Sequence, residues 1–335
     1  MGKLLLERLL TLILKLFGMA VILFVVTQVL PADPAAVAAG TDARPEQIER
    51  IRQELGLDRP FHEQFITYIS GLARGDLGQS LLTRREVSDD LKLRFPATLE
   101  LSILSAVVIV VFGVGLGIIA AINAGKALDF LIRAFVVIGM AVPPFVLALF
   151  LQLIFAKGLD MFPLEGRLHT RMAPPPFVTG LYTVDSLLAG QWELFWMSLR
   201  HLALPVMALA LGRLAVGARF TRSGMLETLS QPYVRTARAK GLREKPVVLR
   251  HAFRNALIPV VTMLGIQIGF LLSGAVLVEV VFTWPGLGRY AVESVLSFDF
   301  YAVIGAALVI ALIFVVSNTV VDLLYLQLDP RISHK

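Results

Sequence analysis

The sequence contains no cysteine and few charged residues, and both features restrict what the chain can be. Without cysteine there is no disulfide framework, no thiolate metal site and no thiol nucleophile. Charged residues make up 17% and hydrophobic residues 56% of the 335 positions. Soluble domains carry about 25% charged and about 45–50% apolar residues. This composition excludes an ordinary soluble enzyme, a disordered regulator and a fibrous protein, and it indicates a membrane protein with several spans.

The sequence also lacks the motifs typical of ATP-binding and metal-binding sites. The phosphate-binding pattern G-x-x-x-x-G-K-[ST] does not occur, so the chain cannot cradle ATP in that way. The five histidines are scattered, and no two of them stand four residues apart as in a helical metal site. We therefore expect no catalytic residue, no metal site, no cofactor and no nucleic-acid partner.

Hydrophobic runs define the predicted architecture. A membrane helix needs about 20 mostly apolar residues, and five windows free of charge meet that need, with a sixth interrupted by Arg213. We predict an all-α integral membrane protein with a cytoplasmic N-terminus at 1–15, an uncleaved first helix at 16–30, a periplasmic helical insertion at 31–96 and a core at 97–335. The further spans are predicted near 98–124, 132–157, 201–218, 256–279 and 300–323, with Pro143 and Pro144 interrupting the third span.

The charges of the connecting segments predict the orientation. Segments 1–15, 123–133, 217–255 and 328–335 carry net charges of +2, +1, +7 and +1, whereas 31–96, 158–199 and 281–300 carry −2, −2 and −1. Cytoplasmic segments are rich in Lys and Arg. The alternation therefore predicts six spans with both termini in the cytoplasm.

The outer segments have helical patterns of their own. Residues 44–57 place apolar side chains at a helical period before Pro60, and 61–75 repeat the pattern, so both are predicted to be helices on the outer face. The aromatic residues near 177–196 favour a loop followed by an interfacial helix.

Polar residues within the spans offer two interpretations. Gln267, Ser273, Gly274 and Asn318 are candidates for lining a translocation pathway, although small residues also let membrane helices pack closely. The ionisable residues that could signal a proton or ion path are Glu100, Arg133, Arg213, Glu279 and Asp322. All except Arg213 stand near span ends, which favours the alternative that they cap those ends or snorkel.

The basic segment 217–255 holds nine Lys or Arg residues against Glu227 and Glu244. Its part 221–255 predicts a short helix ending near Pro232, a second helix stopped by Gly241 and a third beginning at Pro246. On these residues alone, the segment is either a lipid-facing anchor or a docking element for a partner.

This segment resembles the conserved cytoplasmic loop of ABC-importer permeases, whose form is Glu-Ala-Ala, three residues, Gly and a later Pro. The pattern falls on Arg235-Thr236-Ala237, Gly241 and Pro259; Arg in place of Glu and the long spacing are typical of the dipeptide/oligopeptide branch. Other segments similar to that branch are LPADP (30–34), ELGLDRP (54–60), GDLGQS (75–80), PATLEL (96–101), HLALP (201–205), GAVLVEVVFTWPGLGR (274–289) and VDLLY…DPRI (321–332).

The resemblance implies a type I ABC-importer permease fold in the bacterial inner membrane, as the first of two paired permeases. It implies a second homologous permease, two cytoplasmic ABC ATPases that bind ATP and magnesium, and a periplasmic or lipid-anchored solute-binding protein. The residues that it assigns to the ATPase-coupling loop are Arg235, Thr236, Ala237, Arg238, Lys240, Gly241 and Arg243.

The substrate expected from this branch is a dipeptide or oligopeptide. Glutathione and nickel are alternatives, because similar permeases carry them. From a different class, an ion-coupled secondary transporter that acts alone is the rival reading; it would be expected to show a charged pair or broken helices at the membrane midplane.

Overall fold

The computed structural model describes residues 2–29, 33–40, 43–54 and 56–328. Side chains are described for these ranges except 2–9, 27–29, 34, 258, 259, 262, 266, 268–270, 272–274 and 320–328. The described residues form helices and no strand, so the predicted all-α class is confirmed for them.

The helices are α1 Gly2–Val29, α2 Pro34–Ala39, α3 Pro45–Glu54, α4 Phe61–Ala73, α5 Val87–Val108, α6 Val114–Ile122, α7 Ala127–Ala141, α8 Pro144–Leu151, α9 Tyr182–Leu188, α10 Trp192–Leu229, α11 Pro232–Ala239, α12 Glu244–Pro246, α13 Arg254–Gly274, α14 Val276–Val281, α15 Leu287–Leu296 and α16 Phe300–Leu328. Three π-helical turns occur, at Ile109–Gly113, Gln152–Gly158 and Val247–Phe253. The chain forms two compact units, Met1–Thr98 with Pro285–Val315 and Leu99–Trp284 with Val316–Lys335.

Three helical stretches among the described residues are long and apolar enough to cross a membrane: Val87–Ile122, Trp192–Leu229 and Phe300–Thr319. A fourth crossing is possible if Ala127–Ala141 and Pro144–Gly158 form one broken span, since they meet at a bend of 104°. The bend lies at the predicted interruption, where neither Pro143 nor Pro144 can donate a helical hydrogen bond. The count of six spans remains a prediction.

In the first unit, the predicted outer helices are present as α3 and α4. Phe24 of α1 packs against three aromatic rings of α4, those of Phe61, Phe65 and Tyr68, at centroid distances of 5.2, 5.2 and 5.4 Å. Burial raises the pKa of Tyr68 to about 12, so its hydroxyl stays neutral at physiological pH.

The loop that precedes α5 is tied to the start of α16. The hydroxyl of Ser80 donates to a carboxylate oxygen of Asp299 at 2.5 Å, and the backbone N–H of Leu82 donates to the same oxygen at 3.1 Å. Asp299 has no exposed surface, so these donors replace the water that its carboxylate loses. This loop is thereby held by side-chain contacts as well as by packing.

In the second unit, α10 packs against α6 through glycine. A Cβ added at Gly117 would meet the backbone oxygen of Ala218 at 2.7 Å and would also overlap the side chain of Thr221. Only glycine leaves room for this approach, which brings Ala120 of α6 against Ala215 and Ala218 of α10.

The bounds of α10 differ from the sequence interpretation. The residues MLETL were expected to form a separate short helix, but they are the last turns of α10, which runs without a break from Trp192 to Leu229. Its first turns contain Trp192 and Trp196, so these aromatics do not belong to a separate interfacial helix. Pro205 lies inside α10, and membrane helices tolerate such a residue.

Candidate functional site

The segment predicted to couple to an ATPase folds as a compact helical turn, here called the α11 knob and comprising residues 230–246. After α10 ends, Gln231 adopts an extended backbone and Pro232 occupies the first position of α11. Proline suits that position because the first N–H of a helix needs no intrahelical partner. The second of the three helices predicted in this segment is therefore present, at Pro232–Ala239.

One face of α11 holds the knob onto the helices around it. Val234 and Ala237 are buried against Val247 of the π-helical turn and against Leu229. Ala237, one of the residues assigned to the coupling loop, is thus a packing residue with 6% exposure. The other assigned residues are exposed: Arg235, Thr236, Arg238, Lys240, Gly241 and Arg243.

Gly241 ends the knob helix in the manner expected of a glycine stop. Its φ of 78° is left-handed, a conformation that costs a residue with a Cβ about 1–2 kcal/mol. Its N–H donates to the carbonyl of Arg238 at 2.9 Å, and the N–H of Leu242 donates to that of Ala237 at 3.4 Å. Nothing lies within 4 Å of a Cβ built there, so the requirement for glycine is conformational and not steric.

The charged residues of the knob differ in whether they belong to an ion pair in the described part of the chain. Arg238 makes a two-point contact with Glu244, at 2.8 Å from Nε and 3.2 Å from Nη2, and this pair fixes the turn around Gly241. None of the ion pairs found in the described part of the chain involves Arg235, Lys240 or Arg243. These three cations, together with the exposed Lys245, give the knob its positive surface.

The knob is joined to α13 by a side-chain contact. Asn255 donates its amide N–H to the hydroxyl oxygen of Tyr233 at 2.8 Å. Behind it, Val248, Ala252 and Ala256 pack against Met225 of α10 and Ala121 of α6. The segment that follows the knob therefore contacts both α10 and α6.

Of the four candidates for lining the pathway, the structure describes the side chains of Gln267 and Asn318. Gln267 of α13 is half-buried and accepts a hydrogen bond from Nη1 of Arg213 at 3.2 Å. Asn318 is half-buried in α16. Ser273 and Gly274 are at the end of α13, where the structure describes only the backbone, and the side chain of Asp322 in α16 also falls outside the described residues.

Two buried ion pairs were not foreseen from the sequence. Glu100 of α5 pairs with Arg167 at 2.5 Å, with side chains 2% and 7% exposed. Its other oxygen accepts from the N–H and hydroxyl of Thr183, each at 2.7 Å. The guanidinium of Arg167 lies 3.5 Å from the ring centroid of Tyr182. Glu100 is therefore the anchor of the segment that precedes α9, and not a snorkelling residue.

The second pair joins α7 to α10. Asp129, whose side chain is 1% exposed, accepts from Nε of Arg222 at 2.7 Å and from Nη2 at 2.9 Å. Arg133, expected to cap a span end, lies 3.6 Å from the same carboxylate. The partners of both pairs are far apart in the chain, so no local spacing could have indicated them.

A further buried carboxylate, that of Asp185 in α9, accepts hydrogen bonds from backbone N–H groups and from the hydroxyl of Thr179. Burial opposes its ionisation, but donors from Thr179, Val178 and Gly180 outweigh that effect and lower its pKa. The ionised carboxylate of Asp185 therefore holds the segment around Gly180 in place, and we assign it a structural role.

Comparison with known proteins finds families and relatives that match nearly the whole chain. Residues 113–334 match the family described as "Binding-protein-dependent transport system inner membrane component", and residues 1–102 match the corresponding N-terminal family. The chain is 46% identical to a probable D,D-dipeptide transport system permease protein of Escherichia coli K12, over 96% of this chain and 95% of the relative. It is 41% identical to a dipeptide transport system permease protein of Alkalihalophilus pseudofirmus and 42% identical to a glutathione transport system permease protein of Shigella flexneri, each over 98% of both chains.

Proposed function

The chain belongs to the family of inner membrane components of binding-protein-dependent transport systems, and we propose that it is a permease subunit of an ATP-driven importer of dipeptides. It is a multi-pass membrane permease of the dipeptide/oligopeptide branch of ABC importers. The observation that carries the proposed substrate is similarity over nearly the full chain to two permeases named for dipeptides.

The proposed topology has six spans, both termini in the cytoplasm and residues 31–96 on the periplasmic side. Its support is the alternation of segment charge, because the knob lies in the most basic segment and α3 and α4 lie in an acidic one. Reporter fusions after Gly180 and after Lys240 should report opposite sides of the membrane. A cytoplasmic signal after Gly180 would contradict this topology.

The proposed role of the α11 knob is to receive the motion of an ATPase. An exposed positive surface, held rigidly by Val234 and linked to α13 through Tyr233, suits a docking element that transmits force. The chain itself has no phosphate-binding loop, so we assign ATP, magnesium and hydrolysis to two ATPase subunits, and no catalytic role to this chain. A second homologous permease completes the proposed pathway, and a solute-binding protein delivers the peptide.

Glutathione is a second candidate substrate. It is favoured by 42% identity, over 98% of this chain, to a permease named for glutathione transport. Glutathione is a tripeptide with free carboxylates, so the same permease chemistry would serve it.

Uptake into reconstituted vesicles tests the proposal. The full set comprises this chain, its partner permease, the two ATPases and the binding protein, with a labelled dipeptide outside and ATP inside. We expect ATP-dependent uptake by the full set, no uptake by this chain alone, and competition by unlabelled dipeptide. Uptake by the chain alone, driven by an ion gradient, would identify a secondary transporter instead. Competition by glutathione but not by dipeptide would select the second substrate.

A further inference from the structure

A cavity of about 260 Å³ lies between the broken pair α7–α8 and the middle of α10. α7 ends at Ala141, and neither Val142 nor Pro143 has the backbone angles of a helix, since their ψ values are 121° and 142°. α8 then begins at Pro144, and the two helices meet at a bend of 104°. The bend leaves a gap beside α10 that a continuous helix would fill.

The end of α7 presents two backbone acceptors to this cavity, the carbonyls of Gly139 and Met140. In a continuous helix they would accept hydrogen bonds from the N–H groups of residues 143 and 144, but both of these are proline and have no N–H. None of the hydrogen bonds found in the described part of the chain reaches either carbonyl oxygen. Both acceptors are therefore available to a molecule that enters the cavity.

Unpaired carbonyls within a predicted membrane span need a donor that lipid cannot supply. A polar group kept from water without a partner costs free energy, so non-helical backbone at membrane depth is found where protein covers it or where it lines a water-filled cavity. Discontinuous membrane helices place such carbonyls at the binding sites of other transporters. The wall formed by Gly212 of α10 keeps one acceptor open, since a Cβ built there would lie 3.1 Å from the carbonyl oxygen of Gly139.

We propose that the carbonyls of Gly139 and Met140 accept a hydrogen bond from an amide N–H of the peptide as it passes through the permease. This inference rests on the proposed function. An amide is the fitting donor because it is neutral, whereas burial of an ammonium group costs more free energy. Peptides carry an amide N–H whatever their side chains, so a site made of backbone acceptors suits dipeptides and glutathione alike. Pockets for drug-sized ligands measure about 300–1,000 Å³, so 260 Å³ holds part of a peptide.

The test measures occupancy of the cavity in the purified complex of both permeases and both ATPases. The binding protein is left out, so its own selectivity does not enter. Val216 of α10 lines the cavity, and because this chain has no cysteine, Val216→Cys gives it a single labelling site. The probes are a dipeptide and its ester analogue, in which oxygen replaces the amide N–H. We expect the dipeptide to slow maleimide labelling, and the ester to need roughly fivefold higher concentration for the same protection, the factor for about 1 kcal/mol from one hydrogen bond.

Two glycine variants of α10 give a matched comparison in the Val216→Cys background. Gly212→Ala places a methyl group against the carbonyl oxygen of Gly139 and should remove the preference for the amide over the ester. Gly217→Ala makes only ordinary contacts, the nearest at 3.5 Å from Leu264, and should keep that preference. Thermal unfolding confirms that both variants are folded, and the comparison of dipeptide with ester in Val216→Cys alone stands without them.

The outcomes separate this inference from the proposed function. Suppose that the complete importer carries out ATP-dependent uptake of the dipeptide. Protection without a preference for the amide, or no protection by either probe, then overturns the inference while the proposed function stands. Equal protection of Leu188→Cys, an exposed position of α9 that does not line the cavity, or a preference that survives in Gly212→Ala also overturns it. If the complete importer moves neither dipeptide nor glutathione, the proposed function itself fails.

Discussion

The ion pair of the α11 knob is exposed, whereas that of the helical core is buried, and the two should differ in how much stability is lost when one partner is removed. Arg238 and Glu244 are six residues apart, and their side chains are 42% and 66% exposed. Glu100 and Arg167 are 67 residues apart, and theirs are 2% and 7% exposed. Water screens the first pair and cannot reach the second, so losing a partner should cost little stability in the knob and much in the core. For transport, we expect the importance of the two regions to be reversed.

The largest expected effect comes from breaking the buried pair. Glu100→Ala leaves Arg167 without its carboxylate and Thr183 without its acceptor. We expect a loss of about 3–5 kcal/mol in the free energy of unfolding, the range for removal of one partner of a buried ion pair. Thermal unfolding of the purified chain in detergent would measure it.

The matched control removes both charges. In the double variant Glu100→Leu with Arg167→Met no uncompensated charge remains, so most of the lost stability should return. A double variant no more stable than Glu100→Ala would contradict the assignment of the loss to an uncompensated charge.

The next largest loss of stability should come from a change in helix packing. Gly117→Ala places a methyl group against the backbone oxygen of Ala218, which cannot move aside as a side chain would. We expect destabilisation of roughly 1–3 kcal/mol, as for other overpacked sites. Gly115 lies two residues away with nothing within 4 Å of a built Cβ, so Gly115→Ala should change stability by less than about 0.5 kcal/mol. Equal losses in the two variants, measured by thermal unfolding, would rule out close helix approach as the cause.

A smaller effect depends on pH. Because the pKa of Asp185 is lowered in the folded protein, its ionised form stabilises the fold above the ordinary aspartate pKa of about 3.9. That contribution is lost as the pH falls through the lower, folded-state pKa. The stability difference between wild type and Asp185→Asn should therefore be largest near neutral pH and should shrink in acid. A stability difference that grows on acidification would contradict a lowered pKa for Asp185 in the folded protein.

The smallest effect on stability is expected in the knob. Arg238→Ala breaks an exposed pair, and such pairs contribute about 0.2–1 kcal/mol. Raising the salt concentration should reduce the difference between wild type and variant further, since salt screens exposed charges. A loss as large as that of Glu100→Ala would remove the distinction between the two regions.

Several local features were predictable from the sequence. The helices α3 and α4 follow from apolar periodicity, and the left-handed Gly241 follows from a helix pattern that stops at a glycine. The all-α class follows from composition and from the long apolar runs. Each of these features depends on residues that are close together in the sequence, so it can be predicted without knowing which distant residues are in contact.

The missed features depend on contacts between distant residues. Asp129 and Arg222 are 93 residues apart, and Arg213 meets Gln267 across 54 residues. The continuation of α10 through the residues expected to form a separate helix was also missed; there Met225 packs in one cluster with Ala252, a contact that the sequence does not reveal. Ala237 matched the coupling pattern but is buried, since its role depends on which face α11 turns inward.

The most direct test of a coupling role for the knob compares two glycines with the same φ. Gly241 and Gly125 both have a φ of 78°, and neither has an atom within 4 Å of a built Cβ, so Gly241→Val and Gly125→Val should cost similar local strain. Only Gly241 lies in the knob. In the reconstituted importer, with assembly confirmed by co-purification of the ATPases, the measurement is ATP hydrolysis stimulated by substrate-loaded binding protein. The account predicts that Gly241→Val loses this stimulation and that Gly125→Val retains it; equal stimulation in the two variants would contradict a coupling role for the α11 knob.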